Sequence, residues 1–544
     1  MFDDKTFVKA LIKCALDENL YGKRKRDTKL QCIENARRSL VLVFGPTVPD
    51  APLLLDWLEE NKPIKSTVKR ATVDKLAHDH VSGSMVGDTE RWDQRDYEKP
   101  YIVISAQNNT ALASGFLDAL KIYAEVKNAD ILCIGTEYDV NKFQKSEKNH
   151  PFYDPIIEDY MINKPTQIRP DLIVCGELKI LATTTRPTNG MSGYHSDKSI
   201  IVGHNKIELQ CLATAQGQTP KIIYSTGTVS QKKYIQKRAG QRAENRHCIS
   251  ALFVETCLEA QKGYQVRQLH WCDNHFTDLD VSVYADGYAE AAPADAVTFG
   301  DVHAEKLKNW DTLNQALKLA TLLNTRRVIT HDTFDFTSRN HHNIDDPWFF
   351  AKNCQISIGD DLQKASDVLE HISGAINVNS KIFVVRSNHD EALDRFLTDR
   401  KYDYRNDPVN ARLYLDLQSA AYSYIEKKQK VPEMFKLALD VSGIGYPENV
   451  NFLTRKCNLQ VNGVILSIHG DRGKNGSRGT PAQMAATYDK CSTGHTHQSS
   501  IYDGCYTSGV LELMQGYNEN GGAECWTVSH TVQYANGSRA IIIY

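Results

Sequence analysis

The chain has 544 residues, too many for one ordinary hydrophobic core, so two or three domains are expected. Its 41% hydrophobic and 24% charged residues are those of a soluble globular protein, and a net charge of −3 excludes coating nucleic acid by bulk positive charge. No apolar run approaches the roughly 18 residues of a membrane span, and the 13 scattered cysteines form no C-x-x-C pair, which fits reduced cytoplasmic thiols rather than a disulfide framework or a zinc finger.

The N-terminal stretch MFDDKTFVKALIKCALDENL carries early acidic residues and a lysine within its apolar run, against a secretory signal. Residues 1–95 read as a mainly helical region. The run Lys23-Arg24-Lys25-Arg26 reads as a solvated face, and a helix-turn-helix within 53–76 has only a weak signal. Residues 96–289 read as an α/β domain whose role the sequence leaves open, with DNA binding and oligomerisation as candidates. YIVIS (101–105) and ADILCIG (129–135) are buried strands around a helix marked by Leu112, Phe116, Leu117, Leu120 and Ala124. DLIVCG (171–176), KIIYSTG (221–227), SALFVET (250–256) and VRQLHW (266–271) are further strands. There is no G-x-G-x-x-G and no Walker lysine loop, so no nucleotide site follows from motifs.

From residue 290 to 544 the strands end in metal-type donors. AVTFG (296–300) runs into Asp301-Val302-His303. A helical stretch over 304–323 leads to RRVIT (326–330) and His331-Asp332. A second over 360–376 leads to KIFVV (381–385) and Asn388-His389-Asp390. GVILSI (463–468) ends at His469, and Cys491-Ser492-Thr493-Gly494 at His495-Thr496-His497. Ligands of α/β sheets gather beyond the carboxyl ends of strands, so five such ends bring these groups to one rim.

A pair of divalent ions about 3.5–4 Å apart needs oxygen and imidazole donors and a bridging carboxylate. Asp301 and His303 reach one ion from a single strand end. Asp332 is the natural bridge, Asn388 supplies an amide oxygen, His469 and His495 serve the second ion, and His497 turns back to the first. No thiolate joins the set, which suits Mn²⁺ better than zinc. His389 is left to protonate a leaving oxygen, with Asp390 fixing its tautomer. Asp335 is expected to support the ligands rather than bind metal. Gly359-Asp360-Asp361 is a competing motif, rejected because it opens a helix instead of following a strand.

In this order, Asp301-x-His303, Asp332-x-x-Asp335, Asn388-His389-Asp390, His469 and Gly494-His495-x-His497 resemble the calcineurin-like metallophosphoesterase superfamily. The resemblance covers roughly 290–544 and implies an α/β (α+β) protein whose C-terminal part is an αββα sandwich. The superfamily usually has glycine before the bridging Asp and before the Asn, where this chain has His331 and Ser387.

Arg339, His341, His342 and Arg386 are candidate phosphate contacts. So are Arg472, Lys474 and Arg478 in GDRGKNGSRGT, where glycines let backbone amides approach phosphate and cations track a backbone. The runs AQNNTALASGFLDALKIYAEVKNADIL, PKIIYSTGTVSQKKYIQKRAGQRAENRHCISALFVE and HDTFDFTSRNHH resemble a family of tailed-phage proteins that join an N-terminal α/β region to a metallophosphoesterase domain. One member is a pre-early protein implicated in destroying host DNA. That resemblance implies a metal-dependent DNase acting in the cytoplasm of an infected bacterium. A small-molecule phosphodiesterase or phosphatase and a non-catalytic DNA-binding scaffold are the alternatives, and a homo-oligomer is compatible with each.

Overall fold

The computed structural model describes residue 11 and residues 26–44, 47–60, 93–138, 152–195, 198–215, 217–339, 346–398, 404–514 and 523–544. Lys23, Arg24 and Lys25, and most of the segment weighed as a helix-turn-helix, lie outside them. Before residue 93, helices Arg26–Phe44 and Ala51–Glu60 pack Ile33, Ala36 and Leu40 against Leu54, Leu55 and Leu58. No helix among the described residues is long and apolar enough to cross a membrane.

The rest is a mixed α/β structure with large mixed sheets. A five-stranded sheet runs in the order Tyr264–His270, Ser250–Thr256, Tyr101–Gln107, Asp130–Thr136, Met161–Ile162. Side chains alternate between the faces of a strand. Ile102, Ile104 and Phe253 therefore meet Phe116, Leu120 and Tyr123 of helix Ser114–Lys127, while Tyr101, Val103 and Val254 meet Val174, Ile201 and Tyr224 of the next sheet.

That next sheet has eleven strands and crosses the boundary expected near residue 289. It begins with strands from Asp93–Gln94 to Lys221–Ser225 and continues through Leu209–Leu212 into Ser500–Tyr502, where Leu209 pairs with Ile501. A six-stranded sheet completes the frame in the order Val450–Leu453, Lys381–Val385, Arg327–Thr330, Ala296–Thr298, Ser529–Gln533, Arg539–Ile543. Its first four strands are parallel. Ala296, Ile329 and Val385 on one face pack against Val464 of the eleven-stranded sheet and Leu466 just after its strand. Val297, Val328 and Ile382 on the other face meet helices Asp311–Leu322, Ile358–Ala375 and Met434–Ser442.

The five strands that precede the candidate ligands are labelled β1 (Ala296–Thr298), β2 (Arg327–Thr330), β3 (Lys381–Val385), β4 (Val464–Ile465) and β5 (Cys491–Thr493). β4 is shorter than the strand expected over 463–468, because Leu466 N leaves the ladder to bond Leu459 O. The helix expected over 304–323 is broken. A 3-10 turn, Ala304–Lys306, follows left-handed His303, and the α-helix starts at Asp311. Asp360 and Asp361 open helix Ile358–Ala375, where acidic groups suit the helix dipole and Ser357 caps Gly359 N.

A buried ion pair anchors the five-stranded sheet. Arg267 is fully enclosed and forks onto Asp278 at 2.7 Å through both Nε and Nη2, with Glu255 at 2.6 Å and the Tyr123 hydroxyl donating to Asp278 at 2.5 Å. Removing one partner strands the other charge in low dielectric. Asp278→Ala is expected to cost about 3–5 kcal/mol, read as a lowered denaturation midpoint. A change below about 1 kcal/mol would mean that Glu255 alone satisfies Arg267.

Candidate metal centre

β1, β2 and β3 end on one rim of the six-stranded sheet and deliver Asp301, His303, Asp332 and Asn388. β4 and β5 belong to the eleven-stranded sheet and deliver His469, His495 and His497. The site therefore lies where two sheets meet. Asp301 is pinned on both sides of its peptide unit, its N–H donating to Gly509 O at 3.0 Å and its carbonyl accepting from Leu511 N at 2.9 Å. His303, Asp332, His495 and His497 all adopt positive φ, between 44° and 76°. Left-handed backbone at non-glycine residues is costly and concentrates where function demands it.

Two groups of donors form around Asp332. In the first, ligand atoms of Asp301, His303, Asp332 and His497 all lie within 4.8 Å of one another, and all four residues are buried. His303 Nε2 is 3.3 Å from His497 Nε2 and 3.7 Å from Asp332 Oδ2, and His497 Nε2 is 3.4 Å from Asp301 Oδ2. In the second, Asn388 Oδ1 is 2.9 Å from His469 Nε2 and 3.1 Å from His495 Nδ1, and His469 Nε2 is 3.3 Å from Asp332 Oδ2. Donors bound about 2.1 Å from one ion at angles of 90–110° stand about 3.0–3.4 Å apart, and the pairs above, at 2.9–3.7 Å, lie close to that spacing. Asp301 Oδ1 is also buried without a hydrogen bond, as a carboxylate reserved for a cation would be.

The buried carboxylates and imidazoles shift one another strongly. Burial, with Asp332 alongside, pushes the Asp301 carboxyl up to about 8. Burial also acts against ionised Asp332, but His469 and His389 outweigh it and hold this carboxyl well below its usual range. His469 rises to about 9, because Asp332 and Asp301 overcome the effect of its own burial. Burial drives His495 down to about 4 and lowers His303 and His497, which leaves neutral rings suited to ligation.

The partner of His389 is Asp335, not Asp390. Asp335 Oδ1 takes His389 Nδ1 in close contact and His303 Nδ1 at 3.0 Å, while Oδ2 takes Lys306 Nζ and Thr337 Oγ1, each at 2.6 Å. One carboxylate thus orients a ligand and the spare histidine together, and it turns His303 Nε2 toward the first donor group. Asp390 faces the other way, accepting from Phe334 N at 2.9 Å and Ser387 Oγ at 2.7 Å. Its Oδ atoms brace the β2 and β3 loops. Burial raises its carboxyl to about 7.

The candidate phosphate contacts separate. Arg339 is enclosed and bonds Asp407 at 2.7 and 2.9 Å plus carbonyls of Asn353 and Cys354, so its guanidinium is committed to structure. His341 and His342 lie outside the described residues. Arg386 is held by Glu391 at 2.7 Å, by Asp394 at 3.1 Å and by Glu433. Arg472 has a half-exposed side chain bonded to Glu391 at 2.6 Å, and Lys474 and Arg478 are exposed. Their loop is built, with Arg472 and Arg478 paired through their backbones and half-buried Arg455 clamping Asp471 at 2.6 and 2.9 Å. Arg455 and Lys306 had no sequence signal. Asp335 had one, in the Asp332-x-x-Asp335 spacing.

Metal binding to donors that converge only in the folded chain stabilises that chain. At a hundredfold excess over Kd the gain is about 2.7 kcal/mol per site. Adding Mn²⁺ to chelator-treated protein is therefore expected to raise the Tm by several degrees, and an unchanged melting curve would remove the case for a cation here.

The chain is 35% identical over 557 aligned positions to Protein A1 of Escherichia phage T5, covering 98% of this chain and 97% of that protein. No family model and no solved structure matches it. With similarity of that extent running through both the N-terminal strands and the metal-donor loops, the chain belongs to the family of the phage T5 Protein A1.

Proposed function

We propose that the chain is a metal-dependent nuclease that hydrolyses DNA phosphodiester bonds with two divalent ions, Mn²⁺ before zinc, in the cytoplasm of an infected bacterium. The observation that carries this reading is the convergence of seven oxygen and nitrogen donors, from two sheets, into two groups that share Asp332. Residues 290–544 are then a metallophosphoesterase-type sandwich, as the five ordered motifs imply. The choice of DNA rests on the resemblance to tailed-phage proteins and on the loop that presents Lys474 and Arg478 directly after His469.

Bound divalent ions would supply Lewis-acid chemistry here, neutralising phosphate charge and lowering the pKa of a water. Asp301, His303 and His497 would hold one ion and Asn388, His469 and His495 the other, with Asp332 available to both. His389 holds a proton for the leaving oxygen, and Asp335 fixes its ring by taking Nδ1. Lys306 balances the Asp335 charge.

Purified protein with Mn²⁺ is expected to nick or degrade duplex DNA, and chelator to stop it. If it leaves DNA intact yet cleaves a small phosphodiester, the function is that of a small-molecule phosphodiesterase. His389→Ala is expected to lower kcat by on the order of 10²-fold with metal content unchanged. Loss of both ions in that variant would make His389 a structural support instead of a proton donor.

A further inference from the structure

A second group of metal-type donors lies outside this centre, at the foot of a long connection. Strand Leu172–Cys175 pairs in parallel with strand Ser199–Val202, yet the chain between them, from Gly176 to Lys198, contains no helix or strand among its described residues. A connection of that length without secondary structure of its own is uncommon in a packed domain. Leu178, Ile180, Met191 and Tyr194 pack on Ile173, Cys175, Ile200 and Val202, which supplies an apolar shell but no fixed point.

The fixed point is polar. Cys175 Sγ, a carboxylate oxygen of Glu177 and a ring nitrogen of His195 lie within 4.8 Å of one another. Cys175 closes the strand, Glu177 lies in the turn that follows, and His195 arrives from the far end of the connection. Cys175 is fully buried, with no hydrogen bond to its thiol among the described residues. Glu177 Oε2 is sealed from solvent and accepts no hydrogen bond, although Oε1 takes the Tyr194 hydroxyl at 2.6 Å and lies 3.7 Å from His195 Nε2. A thiol, an imidazole and a carboxylate in one apolar shell are the ligand set of zinc, whereas Mg²⁺ and Ca²⁺ call for oxygens.

We propose that Cys175, Glu177 and His195 form a zinc site that staples the 176–198 connection and shares no ligand with the metal centre. On binding, the Cys175 S–H bond breaks, the proton passes to solvent and the sulfur pair forms the bond to zinc. The Glu177 carboxylate and neutral His195 complete three protein ligands, and a fourth position remains for water.

Cobalt(II) tests this in the full-length protein. A thiolate bound to cobalt gives a near-ultraviolet charge-transfer band, and none of the seven donors of the metal centre is a cysteine. The band is expected in wild type and in Asp332→Asn alike, and is expected to vanish in Cys175→Ser and in His195→Asn. Asparagine suits the left-handed backbone at position 195, where φ is 49°. If Cys175→Ser fails to fold, His195→Asn decides alone. No band in wild type, or a band that survives in either folded variant, overturns the site.

Discussion

Asp332→Asn is expected to reduce metal-dependent hydrolysis by about 10³–10⁴-fold while the fold persists. Asparagine keeps the size of the side chain and the oxygen that accepts the His389 N–H at 3.3 Å. What disappears is the negative charge that both donor groups share, 3.7 Å from His303 Nε2 and 3.3 Å from His469 Nε2. A bridging carboxylate holds two cations close together against their mutual repulsion, and its loss forfeits several kcal/mol of transition-state stabilisation. At about 1.4 kcal/mol per decade that is three to four orders of magnitude in rate. Bound manganese, measured by elemental analysis, is expected to fall from two ions per chain to one or none. Activity within tenfold of wild type would show that the two groups do not act as a pair.

The convergence of these polar residues was legible because each follows a short apolar strand, so that a run such as KIFVV marks where the next polar residues emerge. Asp301, Asp332 and Asn388 follow parallel neighbours in chain order, β1, β2 and β3, and their grouping needs only local strand–helix–strand logic. The frame around them was not legible. β4 and β5 span two and three residues, too few to show an alternation, and the pairing of Leu209 with Ile501 joins segments nearly 300 residues apart. No pattern in one strand announces so distant a partner.

The supporting residues show the same limit at the scale of side chains. Asp390 is next to His389 in sequence, but consecutive side chains diverge, and it turns to Ser387 and the Phe334 amide. Asp335, remote in sequence, reaches His389 because left-handed Asp332 and Phe336 bend the loop after β2 back on itself. Arg339 illustrates the converse. A basic residue in a polar loop reads as a phosphate contact, and only the fold shows Asp407 enclosing it.

Gly494→Ala is expected to impair the centre on the order of 10²–10³-fold without replacing a ligand. A Cβ at position 494 would stand 2.0 Å from Asp301 Oδ1 and 3.0 Å from its Cγ, with His331 Cβ at 3.3 Å on another side. Ordinary van der Waals contact requires the carboxylate to retreat by more than 1 Å, roughly the misplacement that costs a catalytic group 10²-fold. Asp301 has little freedom to retreat. Its backbone is tied to Gly509 and Leu511, and the His495 amide holds Oδ2 at 2.7 Å. The new methyl therefore acts on the first donor group, and metal content is expected to fall together with kcat. Gly374→Ala provides the contrast, since a Cβ there meets nothing within 4 Å inside helix Ile358–Ala375. That change is expected to add about 0.5–1 kcal/mol of stability and leave activity unaltered. Wild-type metal content and turnover in Gly494→Ala would mean that Asp301 Oδ1 is not turned toward a cation, and the first donor group would then lack its anchoring carboxylate.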